Sequence, residues 1–206
     1  MKFSILAAIY NEENNIGKLI ESILKQNKDF ELILMDGGSI DRTEEIVKSF
    51  NDKRIKFINS GNGNLHKRVE EARMMATGDI ITALSADDYY FNGVLDKVEK
   101  NIKDYLCGIG LENGERVISI RRGRGATPAT FWTKEFLNKN KLRYEWENYP
   151  NIADTVILVK AWSICKPIIL NEPLTFVGSR NTSPIWSNGV ARFFEYRKMR
   201  KELNNI

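Results

Sequence analysis

Four short apolar runs in the first half of the chain, each followed by a segment with helical spacing, limit the fold more than any other feature. "FSILAAI" (3–9) is uninterrupted, as a strand buried on both faces requires. In the "NEENNIGKLIESILKQ" that follows, Ile16, Leu19, Ile20, Ile23 and Leu24 recur at helical spacing. "ELILMD" (31–36) is the second run, closed by the turn residues "GGS". "DRTEEIVKSF" then reads as a helix, with Asp41 and Glu44 spaced as a capping box and Ile46, Val47 and Phe50 as its apolar face. "RIKFI" (54–58) is the third run. A Gly/Asn loop leads from it to a helix over 64–76 carrying Leu65, Val69, Ala72 and Met75, with Gly78 placed to end it. "DIITALS" (79–85) is the fourth run, before a helix over 92–105 with Leu95, Val98 and Ile102 on one stripe. This alternation predicts an α/β fold: a mostly parallel central sheet with helices on both faces.

The second half is less regular. Two strand-like runs in 106–121 flank Asn113-Gly114, a strong hairpin signal. Residues 133–140, 151–163 and 189–203 read as helices, and "IILNEPLTFVG" as extended. A length of 206 residues suits one domain, with a smaller mixed portion after residue 105. With 42% apolar and 28% charged residues, the composition is that of a soluble globular protein. The net charge of +4 is too small to point to nucleic acid, and no basic block is interleaved with aromatics. Cys107 and Cys165 stand far apart without a second pair, which fits a reducing, cytoplasmic setting. The apolar start lacks the pattern of a signal peptide, and no stretch approaches the roughly 18 apolar residues of a membrane span.

In open α/β sheets, ligands bind outside the carboxyl ends of the strands. The four early runs end in "YNEEN", "DGGS", "NSGNGN" and "SADD", which places four polar or Gly-rich segments along one sheet edge. Asp36 can accept a hydrogen bond from a ring N–H, while Gly37 and Gly38 permit close approach of backbone to ligand; the alternative is a plain turn. Asp87 and Asp88 are neighbours and so point in different directions, which lets them serve different partners. Mg²⁺ and Mn²⁺ take oxygen ligands, commonly one or two carboxylates completed by phosphate and water. A solvated turn is the alternative for this pair.

"AAIYNEENNIGKLIESIL", "MDGGSIDRTEEIV" and "MATGDIITALSADD" together resemble the inverting nucleotide-sugar glycosyltransferases of family 2, densely over residues 3–100 and thinly beyond. The resemblance implies a GT-A fold, a single Rossmann-like domain. Residues 1–105 would form its nucleotide-sugar half, and 106–206 its acceptor side with a C-terminal helix. It also implies that Ala8, Tyr10 and Glu12 line the nucleotide pocket and that Asp36 binds the base, usually uracil. Asp87 and Asp88 match the motif for metal (Mn²⁺ or Mg²⁺) and nucleotide sugar, with Asp88 the direct ligand and Asp87 nearer the sugar. Gly37 stands where some relatives carry a second base-binding Asp, and Lys67 where similar sequences often have Asp. Lys67 or Arg68 would then reach the diphosphate, the alternative for both being an exposed helix face.

Transfer with inversion needs a carboxylate to take the proton of the acceptor hydroxyl. "NIADTVILVKA" (151–161) resembles the family segment whose aspartate is that base, which implies Asp154 as the catalytic residue. Here Thr155 and Val156 follow it, where relatives have an aromatic and an acid. A helix-start role is the alternative for Asp154, and Glu145 and Glu147 are held in reserve. "TPATFWTKEFL" (127–137) resembles the family segment of small and aromatic residues before a helix, and "GSRNTS" (178–183) a small-residue loop that closes over donor or acceptor, the alternative being an ordinary surface loop. The expected partners are a nucleotide-sugar donor and a glycan or lipid-linked acceptor. Single-sugar transfer is expected, since the processive signature (Q/R)-x-x-R-W is absent. Arg116, Arg121, Arg122 and Arg124 lie around a hairpin and loop suited to phosphates or carboxylates, the alternative being a solvated loop. The basic helix 189–203, with Val190, Phe193, Phe194 and Met199, can pack on the domain or lie on an anionic bilayer. His66, the only histidine, is not read as catalytic. Two rival readings are a nucleotidyltransferase, against which the acidic "YNEENN" counts, and a nucleotide-sugar-binding domain without catalysis.

Overall fold

The uninterrupted apolar runs become four parallel strands, β1 (Phe3–Ile9), β2 (Phe30–Asp36), β3 (Ile55–Asn59) and β4 (Ile80–Leu84), in the order β3-β2-β1-β4. The computed structural model describes residues 1–61, 63–112, 115–116, 127–178 and 189–203. Every residue of β1 and β2 is buried, so both faces of the sheet are covered. On one face Phe3, Ile5, Ala7 and Ile9 pack with Leu19, Ile20 and Ile23 of α1 (Ile16–Leu24), Val47 of α2 (Thr43–Ser49), and Val94, Leu95 and Val98 of α4 (Val94–Asn101). On the other, Leu6 and Ala8 meet Val69 and Ala72 of α3 (Leu65–Met75) and Ile157, Leu158 and Ala161 of α6 (Ala153–Ile164). Period-two alternation in a doubly covered strand thus feeds two cores at once. The register pairs Ile9 with Asp36 and Asp36 with Asn59, so the polar segments after the strands start from one row.

Two expectations about helix ends need correction. Asp41 and Glu44 do not form a capping box. Helix α2 starts at Thr43 after Arg42, whose side chain makes no capping bond, and Glu44 pairs with Lys48 instead. Gly78 does not stop α3 through a left-handed cap, because the helix already ends in extended backbone at Ala76. A Cβ at Gly78 would lie 2.7–2.8 Å from the Ser4 nitrogen and the Lys2 and Phe3 backbone, so glycine is needed there for close approach to β1.

Beyond β4 the sheet continues β8-β6-β9-β5, with β5 (Tyr89–Tyr90), β6 (Tyr105–Glu112), β8 (Thr130–Thr133) and β9 (Ile168–Phe176). Strand β8 is antiparallel to both β4 and β6, whereas β9 is parallel to β6 and β5 antiparallel to β9. The fold is therefore α/β with a parallel half and a mixed half. Strand β7 (Glu115–Arg116) pairs with β6 across Glu112 and Glu115, while the Asn113-Gly114 hairpin signal lies outside the described residues, as do Arg121, Arg122 and Arg124. α5 (Lys134–Lys139) follows β8 directly. α7 (Gly189–Leu203) does not dock through a Phe193–Phe194 stripe, since both rings are exposed; Met199, Tyr196 and Leu203 pack with Tyr149, Ile152 and Val156. Among the described residues no helix is long and apolar enough to cross a membrane.

Candidate active site

The loops after β1 and β2 are stitched to each other. Asn11, at φ 53° in the left-handed region, donates its N–H to Ser39 Oγ and accepts from the Ile40 N–H through its side-chain oxygen. The Glu12 N–H donates to Thr43 Oγ1, the Glu13 N–H to Asp41 Oδ2, and the Arg42 N–H to Glu13 Oε2. The Ser, Asp and Thr of "SIDRT" thus hold the "YNEE" segment in place. Asp41 also accepts from the Thr43 N–H at 3.0 Å, and these donors outweigh burial and hold its carboxyl below the ordinary range. Tyr10 is half exposed at the end of β1, whereas Ala8 is buried within the sheet.

Asp36 ends β2 with its carboxylate clamped by its own turn: Oδ2 accepts from the Gly38 and Ser39 N–H groups, both at 2.9 Å, and Oδ1 from Ser39 Oγ. Gly37 touches Arg68, whose Nη1 lies 2.7 Å from where a Cβ at Gly37 would stand. Arg68 is 7% exposed, donates to the Gly63 carbonyl at 3.0 Å, and has a buried Nε without a hydrogen-bond partner. Burial pulls its pKa down, while the charges of Asp36 and Glu71 work the other way. A guanidinium with an unused donor beside a strand-end carboxylate offers complementary donor and acceptor groups to a planar ring. Lys67, in contrast, lies on the outer face of α3, 3.7 Å from Glu71 and over the Trp146 ring.

At the end of β4 the two adjacent aspartates part company. Asp88 is 2% exposed, and its oxygens accept from the Ser85 N–H at 2.8 Å and the Gly178 N–H at 3.0 Å. Burial is the largest influence on it and, with the neighbouring Asp87, pushes its carboxyl up to about 7 against those donors. Asp87 packs on Gly178, where a Cβ would lie 2.1 Å from Oδ2. Both line a cleft of about 480 Å³ together with Asn14, Asn15, Lys18, Tyr89 and Phe176. Glu12 is not among the residues that line this cleft, but it lies near enough to Asp87 to feel its charge. Burial and the charges of Asp87 and Asp41 raise its carboxyl, although Asn15 donates to it at 2.9 Å. The sequence drew attention to Asp87, Asp88 and the loop that begins at Gly178, but the contact of Gly178 with the two aspartates arises only when β9 returns to the sheet.

In the second half of the chain, Asp154 sits in the first turn of α6, with Oδ1 accepting from the Thr155 N–H at 2.8 Å and lying 3.4 Å from His66 Nε2. The reserve carboxylates are engaged elsewhere: Glu145 pairs with Lys160, and Glu147 with Arg143 at 3.0 Å. Of the loop 178–183, only Gly178 lies within the described residues.

A parallel β3-β2-β1-β4 sheet with carboxylates after successive strands, extended by an antiparallel β8, is the layout of a GT-A transferase. The solved structure of S. aureus TarS 1–349 in complex with UDP-GlcNAc superposes with a TM-score of 0.78 at 21% identity, covering 98% of this chain and 66% of that one. The model for glycosyl transferase family 2 matches residues 4–160, and the chain belongs to that family. Among curated relatives, the putative glycosyltransferase EpsE of Bacillus subtilis is 37% identical over 119 residues, which is 53% of this chain and 43% of EpsE. The poly(ribitol-phosphate) beta-N-acetylglucosaminyltransferase TarS of Staphylococcus aureus is 30% identical over 137 residues, 64% of this chain and 23% of TarS. The chain thus spans less than half the length of either relative.

Proposed function

We propose that the protein transfers one sugar, with inversion, from a nucleotide-sugar donor of the UDP class to a hydroxyl of a glycan or lipid-linked saccharide. The observation that carries the reading is the row of side chains beyond the parallel strands, with Asp36 and Arg68 at one end and Glu12, Asp87 and Asp88 at the other. Asp36 accepts the ring N–H of the base and Arg68 donates to a flanking carbonyl, a pairing that suits the acceptor–donor–acceptor edge of uracil. UDP-GlcNAc bound to the solved relative supports the same donor class.

Among the described residues no three His, Cys, Asp or Glu side chains converge into a metal cage. Asp87 and Asp88 nevertheless fit Mn²⁺ or Mg²⁺ held jointly with a donor diphosphate, since a buried carboxylate, Asp88, beside the half-buried Asp87 carries charge that burial disfavours. A cation there supplies neutralisation of the departing diphosphate. Asp154 takes the proton of the acceptor hydroxyl as its oxygen attacks the anomeric carbon and the bond from that carbon to the diphosphate breaks.

A thermal-shift panel of UDP-, GDP- and dTDP-sugars with and without Mn²⁺ tests this, because a ligand bound to the native state raises the Tm. The UDP-sugars should give the largest rise, and Mn²⁺ should increase it. No metal-dependent shift with any nucleotide overturns the proposal, and binding without release of UDP would mark a non-catalytic domain.

A further inference from the structure

The only histidine links the two halves of the molecule. His66 opens α3, where Asn64 caps the helix by accepting from the His66 and Lys67 N–H groups at 2.8 and 3.2 Å. Its ring reaches across to the segment before α6, and Nδ1 lies 3.0 Å from the Pro150 carbonyl, which also accepts from Asn64 Nδ2 at 2.8 Å. A carbonyl can only accept, so Nδ1 carries a proton. The opposite nitrogen, Nε2, faces Asp154 at 3.4 Å, and the His66 side chain is only 7% exposed. A neutral ring in this tautomer would turn its Nε2 lone pair toward a carboxylate, which is repulsive. A protonated ring gives both nitrogens an acceptor.

We infer that His66 is a positioning residue for Asp154, a buried imidazolium that holds the base as a carboxylate in one orientation. The inference rests on the reading of Asp154 as base. Among the described residues Arg192 and Tyr144 also act on the pair. Arg192 of α7 acts on both partners, favouring the carboxylate and disfavouring the imidazolium. Tyr144 is buried and neutral, with burial and the charges of Asp154 and Glu70 raising its pKa, and Glu70 is paired with Arg73 at 2.7 Å. Burial alone pulls His66 down and pushes Asp154 up. Their mutual contact reverses both directions, leaving His66 raised and Asp154 lowered.

A single histidine gives a single set of ring signals, so ¹⁵N-histidine NMR reads the pair directly. In the wild type both ring nitrogens should stay protonated to a pH above the ordinary midpoint of about 6.5, and in Asp154→Asn the midpoint should fall below it. A ring that is neutral at pH 6.5 in the wild type, or unmoved by Asp154→Asn, overturns the inference. The kinetic arm follows UDP release from UDP-GlcNAc with water as acceptor. His66→Gln, which can still donate to Pro150 but carries no charge, should move the acid limb of kcat up by about one pH unit, a tenfold loss on the acid side. KM for the donor should hold, and His66→Arg should recover part of the limb. An unmoved limb in a folded His66→Gln protein rejects the positioning role. If Asp154→Asn released UDP at the wild-type rate while the NMR pairing stood, the base assignment would fall and the positioning role with it, with the ion pair left as structural.

Discussion

The parallel half and the mixed half of the sheet are built by different rules. In β1 and β2 all seven residues are buried and each strand is followed by its own helix, so each element is specified by nearby sequence. In the mixed half, β8 has four residues and gains its place only by pairing with β4 on one side and β6 on the other. The β6–β9 ladder shifts register around Ile109, opposite Pro173, which has no N–H for the ladder. Gly108 admits the Leu174 side chain to within 2.1 Å of where a Cβ would be. The first region is locked by continuous burial, the second by individual contacts between distant segments. The proposed division of labour follows the same line, with donor recognition on the regular half and proton removal on the irregular one.

The sharpest way to break that comparison is Asp154→Asn. It should cut transfer by about 10²–10⁴-fold while nucleotide affinity, measured by calorimetry, stays within about twofold. Equal losses in both would mean that the halves do not divide binding from chemistry.

Next in size is Glu31, at the opposite edge of the parallel half. It is 2% exposed and accepts from Lys56 Nζ at 2.7 Å, Ser4 Oγ at 2.6 Å and the Thr77 N–H at 2.6 Å. Burial would raise its carboxyl, but these donors prevail and lower it to about 2. Its contribution is therefore full above the ordinary carboxylate range and is lost as pH falls toward 2. Glu31→Gln should cost about 3 kcal/mol at pH 7 and little at pH 2, read from urea melts.

Met199→Ala, in the contact between α7 and α6, should destabilise by about 2–3 kcal/mol and leave nucleotide binding intact. Gly37→Ala should do the reverse: Arg68 is flexible at its far end, so stability should change by about 1 kcal/mol or less, while UDP affinity falls about tenfold as the guanidinium is displaced. Phe193→Ala, at an exposed ring, should stay within about 0.5 kcal/mol and mark the floor of the series.

The site was legible where it follows regular strands and obscure where it depends on return of the chain. Asp36, Asp87 and Asp88 stand directly after apolar runs, so their placement on one edge follows from the alternation. Arg68 was read as reaching the diphosphate or solvent, yet it packs on Gly37 beside Asp36; only the approach of α3 to the end of β2 brings them together. His66 carried no pattern at all, and its partner lies 88 residues away (154 − 66) across the two halves. "SIDRT" read as a helix cap, but its side chains tie two loops to each other.

What the sequence alone determined is the order of elements in the first half, the two-faced core and the edge on which chemistry collects, because hydrophobic periodicity is a local property and the carboxyl ends of parallel strands share one side. Tertiary structure alone decided which carboxylate is buried on backbone N–H groups, which arginine packs beside Asp36 and that the lone histidine faces Asp154. Those outcomes depend on distances between segments far apart in the chain, and burial changes the charge of each group only once those segments have met.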